Sequence, residues 1–182
     1  MSTKPQILNK EIVAASRLYK IETLQLHFSN GEERKFERIR GKLNGAVMIV
    51  PLLDRDTILL IREYAAGVED YVLAFPKGAV ENGEDLYATA NRELMEEVGF
   101  GAKHFEYLAK WSTSPNYMTS MMHIVLAQEL YPQRLLGDEP EPIEVIPWKL
   151  NQVDSLLSHP QFHEARSVAA LLLLQRQGYG SK

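Results

Sequence analysis

Residues 78–100 read GAVENGEDLYATANRELMEEVGF, and both the fold and the chemistry turn on this stretch. On a helical wheel at about 100° per residue, Leu86, Ala90, Leu94 and Val98 form one apolar stripe, which predicts a helix over 84–98 packed on that side. Gly99 and Gly101 stop it, as glycine does just past a helix C-terminus. Glu93 and Glu97 are four apart and fall within roughly 40° of each other, with Glu96 beside them. They lie near the line of Leu86 and Ala90, while Asn91 and Met95 take the opposite side. An ordinary acidic face would point away from the core. Carboxylates bunched at the edge of a buried face repel one another, and burial adds to the cost. A hard divalent cation such as Mg²⁺ or Mn²⁺ relieves both penalties, because it prefers oxygen ligands and also bridges to phosphates. Arg92 can pair with one carboxylate and hold its orientation.

Taken alone, the wheel fits a solvated acidic helix about as well as a metal site. The wider spacing decides between them. Gly78, Glu84, Arg92, Glu93, Leu94, Glu96, Glu97, Gly99 and Phe100 satisfy G-x5-E-x7-R-E-U-x-E-E-x-G-U, where U is a bulky apolar residue. At residue frequencies of roughly one in fourteen, its seven fixed identities recur by chance about once in 10⁸ windows. This is the Nudix box, and the chain resembles the Nudix family.

The resemblance implies an α/β/α sandwich with a mixed sheet, in which the box forms a loop–helix–loop that binds divalent metal and a diphosphate. It makes Glu93, Glu96 and Glu97 the expected metal ligands, joined by the backbone carbonyl of Lys77. Gly78 would let the chain turn close to the metal, and Glu84 and Arg92 would support the motif. Glu84 falls at the predicted helix start, where a carboxylate is favourable.

Beyond the box, the chain resembles the ADP-ribose pyrophosphatase branch of the family. Ser16-Arg17-Leu18, Phe28-Ser29-Asn30-Gly31, Ile61-Arg62-Glu63-Tyr64 and Gly137-Asp138-Glu139-Pro140-Glu141-Pro142 carry that likeness. Lys77 stands where many ADP-ribose hydrolases have alanine, and Pro115-Asn116 replaces a common Pro-Gly. The branch implies a metal-dependent pyrophosphohydrolase that cuts ADP-linked compounds such as ADP-ribose, NADH or diadenosine oligophosphates to release AMP. Two or three Mg²⁺ ions are expected, with Mn²⁺ as an alternative. A glutamate on a late loop serves as base or extra ligand in this branch. Glu139 is the preferred base, alongside a metal-held carboxylate such as Glu97, and Glu141 is the metal-side group; the first and last could exchange roles. The resemblance also implies a homodimer through N-terminal strands.

Arg38, Arg40 and Arg62 are the cationic candidates for substrate phosphate or ribose, since the planar guanidinium pairs with phosphate in a bidentate way. Arg38 and Arg40 are two apart on a predicted strand and so face one side. Tyr19, Phe28 and Tyr117 could stack on adenine, although an aromatic on a strand more often packs in a core.

Upstream of the box, residues 1–44 form a distinct N-terminal β region. Strands are predicted at 18–28 and 34–40, joined by Ser29-Asn30-Gly31-Glu32, whose Asn-Gly pair signals a hairpin. The Nudix domain would run over 45–182. It begins with strands at 46–53, 58–64 and 71–75, the last ended by Pro76-Lys77-Gly78. After the box, strands are predicted at 105–111 and 121–128, then an acidic loop over 132–147, then helices at 152–158 and 161–177.

With 182 residues, 45% hydrophobic and 24% charged, the chain suits one domain with a small appendage. Its net charge of −4 offers nucleic acid no general attraction. The absence of cysteine excludes disulfides, zinc–thiolate sites and thiol nucleophiles. Residues 1–10 are polar, and the longest apolar run, 168–174, is far short of the ~18 residues of a membrane span, so a cytoplasmic setting is expected. Three other readings compete. A nucleotide sugar or an RNA 5′ end could replace the ADP compound; the acidic balance speaks against RNA. A non-catalytic ADP-ribose sensor would fit a damaged box better than this intact one. A glycosidase needs two opposed carboxyls, which one helical cluster does not supply.

Overall fold

The computed structural model describes residues 3–41 and 44–180. Residues 1–2 and 181–182, at the outer limits of the two regions expected from sequence, lie outside the described residues. The chain divides into two compact units: Met1–Gly45 with Ser112–Met121, and Ala46–Trp111 with Met122–Lys182.

The first unit is an antiparallel sheet of β1 (Gln6–Ala15), β2 (Lys20–His27) and β3 (Glu33–Arg40) in that order. At the β2–β3 hairpin, the Phe28 N–H meets the Glu32 carbonyl at 2.8 Å and the Gly31 N–H meets the Phe28 carbonyl at 3.0 Å. Gly31 takes φ of 87°, so Ser29-Asn30-Gly31 is a three-residue loop with glycine in the left-handed position, not a two-residue turn. Residues 117–119 lie beside the end of β3: Ile39 donates to the Tyr117 carbonyl at 2.7 Å and Thr119 to the Ile39 carbonyl at 3.1 Å. Every residue of β1 is exposed, while Glu22 and Leu24 of β2 are buried.

The second unit holds β4 (Ala46–Asp54), β5 (Thr57–Ala65), β6 (Asp70–Ala74), β7 (Lys77–Ala79), α1 (Leu86–Glu93), β8 (Phe100–Ser112) except its last residue, β9 (Met121–Pro132) except its first, β10 (Glu144–Lys149), α2 (Val153–Leu157) and α3 (Ala165–Arg176). Its sheet has the order β10-β5-β4-β9-β8, with β6 beside β5 and β7 beside β4. β4 and β9 are parallel, whereas β4–β5, β5–β6, β4–β7 and β5–β10 are antiparallel. The sheet is therefore mixed, as expected. Alternate residues of the central strands feed two cores. Val47, Ile49, Leu59, Ile61 and Val125 pack with Ala90, Leu94 and Val98 of the box helix. Met48, Val50, Leu60, Ile124 and Leu126 pack with Leu156, Leu171 and Leu174 of the C-terminal helices. Burial on both faces explains why these strands read as continuous apolar runs. The result is the α/β/α sandwich.

Several elements differ from expectation for identifiable reasons. The box helix is α-helical only to Glu93 and continues over Leu94–Val98 as a π-helical turn, in which the Gly99 N–H reaches the Leu94 carbonyl at 3.1 Å. The side opposite its stripe is packed rather than solvated: Asn91 Oδ1 accepts the Ala102 N–H at 2.9 Å, and Met95 is buried. β10 occupies part of the expected 132–147 loop. Its Pro147 is tolerated because β10 ends the sheet order and leaves one side unpaired. Helix α3 starts four residues later than the expected 161, where the Glu164 carboxylate caps the Arg166 and Ser167 N–H groups.

Candidate functional site

The N-cap of the box helix is Asp85, whose carboxylate accepts the Tyr87 N–H at 2.9 Å and the Ala88 N–H at 3.2 Å. This leaves Glu84 free for Arg92, whose Nε meets Glu84 Oε1 at 3.2 Å. The Arg92 Nη1 contacts Glu93 Oε1 at 2.9 Å and Glu96 Oε2 at 2.8 Å. One guanidinium thus gathers three carboxylates, one from just before the helix and two from its C-terminal part. Its hydrogen bond holds the Glu84 carboxyl below the ordinary range, and the same bond raises the Arg92 pKa.

Glu93 and Glu97 are pushed the other way. Burial raises the Glu93 carboxyl, with Arg92 opposing and the charges of Glu96 and Glu139 adding to the rise. Glu97 is 5% exposed, and burial lifts its pKa to about 8 against the opposing charge of Lys77. Glu63 and Glu93 add to that lift. The Lys77 N–H donates to Glu97 Oε2 at 3.1 Å, while the Lys77 Nζ pairs with Glu63 at 3.2 Å. β7 sets this geometry. Its Gly78 lies so close to Glu93 that a Cβ there would overlap the carboxylate. Backbone and carboxylate approach each other only because the residue is glycine.

These residues fit a hard divalent cation. Glu93, Glu96 and Glu97 offer oxygen donors, and two of them carry a burial penalty that a cation would offset. Among the described residues no three carboxylate or imidazole groups already surround a single point; the Arg92 guanidinium supplies the positive charge between Glu93 and Glu96.

A cleft of about 240 Å³ is lined by Arg62, Glu63, Tyr64, Tyr71 and residues 139–144. Glu139 lines this cleft, and its charge adds to the rise at Glu93. Glu141 is held differently: the Tyr71 hydroxyl donates to its Oε1 at 2.6 Å. Arg62 lies 4.3 Å over the Tyr71 ring, reaches Gln161 Oε1 at 3.3 Å and pairs with Glu144 at 3.5 Å. Arg38 and Arg40 belong to the first unit. Arg38 meets the buried Glu22 carboxylate at 2.6 Å and Arg40 meets it at 3.9 Å, so they do share one side. Together with Lys10, Gly41 and Thr119 they line a second pocket. Tyr19 and Tyr117 are exposed, and Phe28 packs on Phe36 at 6.2 Å between centroids.

Sequence reasoning had not singled out Asp85, Glu63 or Tyr71. Asp85 directly precedes the first helical residue, so its capping role was legible beside Glu84. Glu63 and Tyr71 gave no local signal, because their partners lie 14 and 70 residues away.

A NUDIX domain model matches residues 42–174, and a NudE-type Nudix hydrolase N-terminal domain matches residues 5–38. The chain is 53% identical over 172 residues to ADP compounds hydrolase NudE of Escherichia coli K12, covering 94% of this chain and 92% of that one. It is 27% identical over 176 residues to the ADP-ribose pyrophosphatase of Bacillus subtilis 168, covering 96% and 94% of the two. A crystal structure of an ADP compounds hydrolase superposes with a TM-score of 0.90 at 52% identity, over 97% of both chains. The intact box on its capped helix, the mixed sheet between two helical layers and these matches agree: the chain belongs to the Nudix family, with an N-terminal region of the NudE type.

Proposed function

We propose that this chain is a metal-dependent pyrophosphohydrolase that cuts the diphosphate of ADP-linked compounds and releases AMP. ADP-ribose would give AMP and ribose 5-phosphate; NADH and diadenosine oligophosphates are further substrates of the same kind. The observation that carries the reading is the box itself: Glu93 stands against Gly78 and the buried Glu97 accepts the Lys77 N–H, in a chain 53% identical to a protein named ADP compounds hydrolase.

Glu93, Glu96 and Glu97, with the Lys77 carbonyl, would hold two or three Mg²⁺ ions, or Mn²⁺ in their place. Cations there would neutralise phosphate oxygens and lower the pKa of the attacking water. The chain's own residues do the rest. Gly78 lets the Glu93 carboxylate approach the backbone, and Arg92 keeps the glutamates in register. Glu139 takes the proton from the water, supported by its proximity to Glu93. Glu141 suits an anchoring role better than a metal-side one, since its carboxylate is engaged by Tyr71. Arg38 and Arg40 are the cations proposed for substrate phosphate or ribose. The Arg62 guanidinium is engaged by Tyr71, Gln161 and Glu144, as those of Arg38 and Arg40 are by Glu22, and Arg62 is proposed instead as a support of the 139–144 stretch. A homodimer formed through the N-terminal strands completes the proposal. A cytoplasmic setting is part of the same proposal; no helix among the described residues is long and apolar enough to cross a membrane.

The test is a panel of ADP-ribose, NADH, diadenosine triphosphate and non-adenine nucleotide sugars, assayed for nucleotide release with Mg²⁺, Mn²⁺ or chelator. AMP should appear from the adenine compounds in metal and not in chelator. AMP from none of them would end the ADP-compound reading.

A further inference from the structure

Glu139 sits in a segment without helix or strand, between Pro132 and Glu144. A base on such a segment is useful only if something holds it. Two contacts from the neighbouring strands β5 and β6 do so. The Tyr71 hydroxyl donates to Glu141 Oε1 at 2.6 Å, and the Arg62 Nη1 pairs with Glu144 Oε2 at 3.5 Å. These grips flank the stretch just after Glu139. They are themselves coupled, because the Arg62 guanidinium stacks 4.3 Å over the Tyr71 ring and Tyr64 packs edge-on to that ring at 5.7 Å. Tyr71 is paired across the ladder with Tyr64, so the two rings lie on one face of the sheet. Pro140 and Pro142 bracket Glu141 and stiffen the backbone there, so restraint at Glu141 is passed to Glu139 two residues earlier.

We propose that Tyr71, backed by Arg62, is a positioning residue that fastens the 137–144 loop through Glu141 and so aims Glu139 at the Glu93–Glu97 cluster. This rests on the reading of Glu139 as base. Tyr71 acts through Glu141 and touches no reacting atom. Its loss should therefore lower kcat and leave KM alone, since a misplaced base weakens the transition state and not ground-state binding. Glu141 and Tyr71 should also behave as one unit, with effects that do not add.

The experiment uses the full chain, ADP-ribose and saturating Mg²⁺, with Y71F, E141Q and the Y71F/E141Q double variant. Y71F keeps the ring and the Arg62 stack and removes only the hydroxyl. Each single variant should lose about tenfold in kcat with KM within about twofold of the parent, and the double variant should be no worse than the poorer single. R62K, which keeps the charge but loses the planar stack, should show the same split in milder form. Hydrogen exchange at the amides of Asp138, Glu139, Glu141 and Ile143 supplies a readout independent of substrate. It should quicken in Y71F while exchange in β4 and β9 stays unchanged. Unchanged loop exchange overturns the proposal, as does a kcat equal to the parent, a rise in KM alone, or losses that multiply in the double variant. Should the parent chain release no AMP, the substrate reading fails, while the exchange data still decide whether Tyr71 holds the loop.

Discussion

The Ser167 hydroxyl, fully buried, accepts the Phe75 N–H at 3.0 Å and donates to Glu164 Oε2 at 2.9 Å. One small side chain thus ties α3 to the strand end two residues before Lys77. Burial pushes the Glu164 carboxyl upward, but the hydrogen bonds from Arg166 and Ser167 outweigh it and hold the group below its ordinary value of 4.5. A carboxyl depressed in the folded state stabilises the protein above that ordinary value, and the benefit is lost as pH falls through the folded value. E164Q should accordingly cost about 1 kcal/mol at neutral pH, and its deficit should shrink as pH falls below the ordinary value of 4.5, measured by denaturant unfolding at neutral and acidic pH. An equal deficit at the two pH values would contradict this. At the same scale, Glu93, Glu96 and Glu97 were legible because a motif fixes their spacing. Tyr71 was not, because its partner Glu141 is brought near only by the fold.

Within the box, the fit of β7 against the helix is where sequence pattern and structure meet most tightly. Gly78 has no room for a Cβ beside Glu93. G78A should still fold, since the neighbouring group can rotate away, but that rotation takes Glu93 out of the cluster. The Mg²⁺ concentration needed for half-maximal turnover should rise by about tenfold or more; an unchanged titration would show that Glu93 is not set by this contact. The helix was legible from its apolar stripe, but its π-helical turn was not. A wheel drawn at a constant angle cannot register the extra residue per turn, and such turns often sit at functional sites. β10 was hidden for a different reason. Residues 132–147 read as an acidic loop, and the edge position revealed by the topology is what makes Pro147 harmless in a strand.

Across the whole molecule, the fold class was legible because the resemblance carried by the box implies the sandwich, and the central strands are buried on both faces as that arrangement requires. The excursion of Ser112–Met121 into the first unit was not, since its contacts to Ile39 and Gly41 span more than 70 residues. The first unit also exposes Ile7, Leu8, Ile12 and Val13 along β1, and Phe36 on β3. An edge strand with apolar side chains and open backbone groups favours pairing with another chain. Light scattering at working concentration should give twice the chain mass, and a clean monomer would contradict the proposed dimer.

The central claim, that the glutamates of the box hold the metal for diphosphate cleavage, meets its most direct test in E97Q. Glutamine preserves the shape of Glu97 and removes its charge, so the fold should be kept. AMP release from ADP-ribose at saturating Mg²⁺ is the quantity to measure. The account predicts a fall of at least about a hundredfold in kcat with an unaltered circular-dichroism spectrum. Turnover close to that of the parent would contradict it.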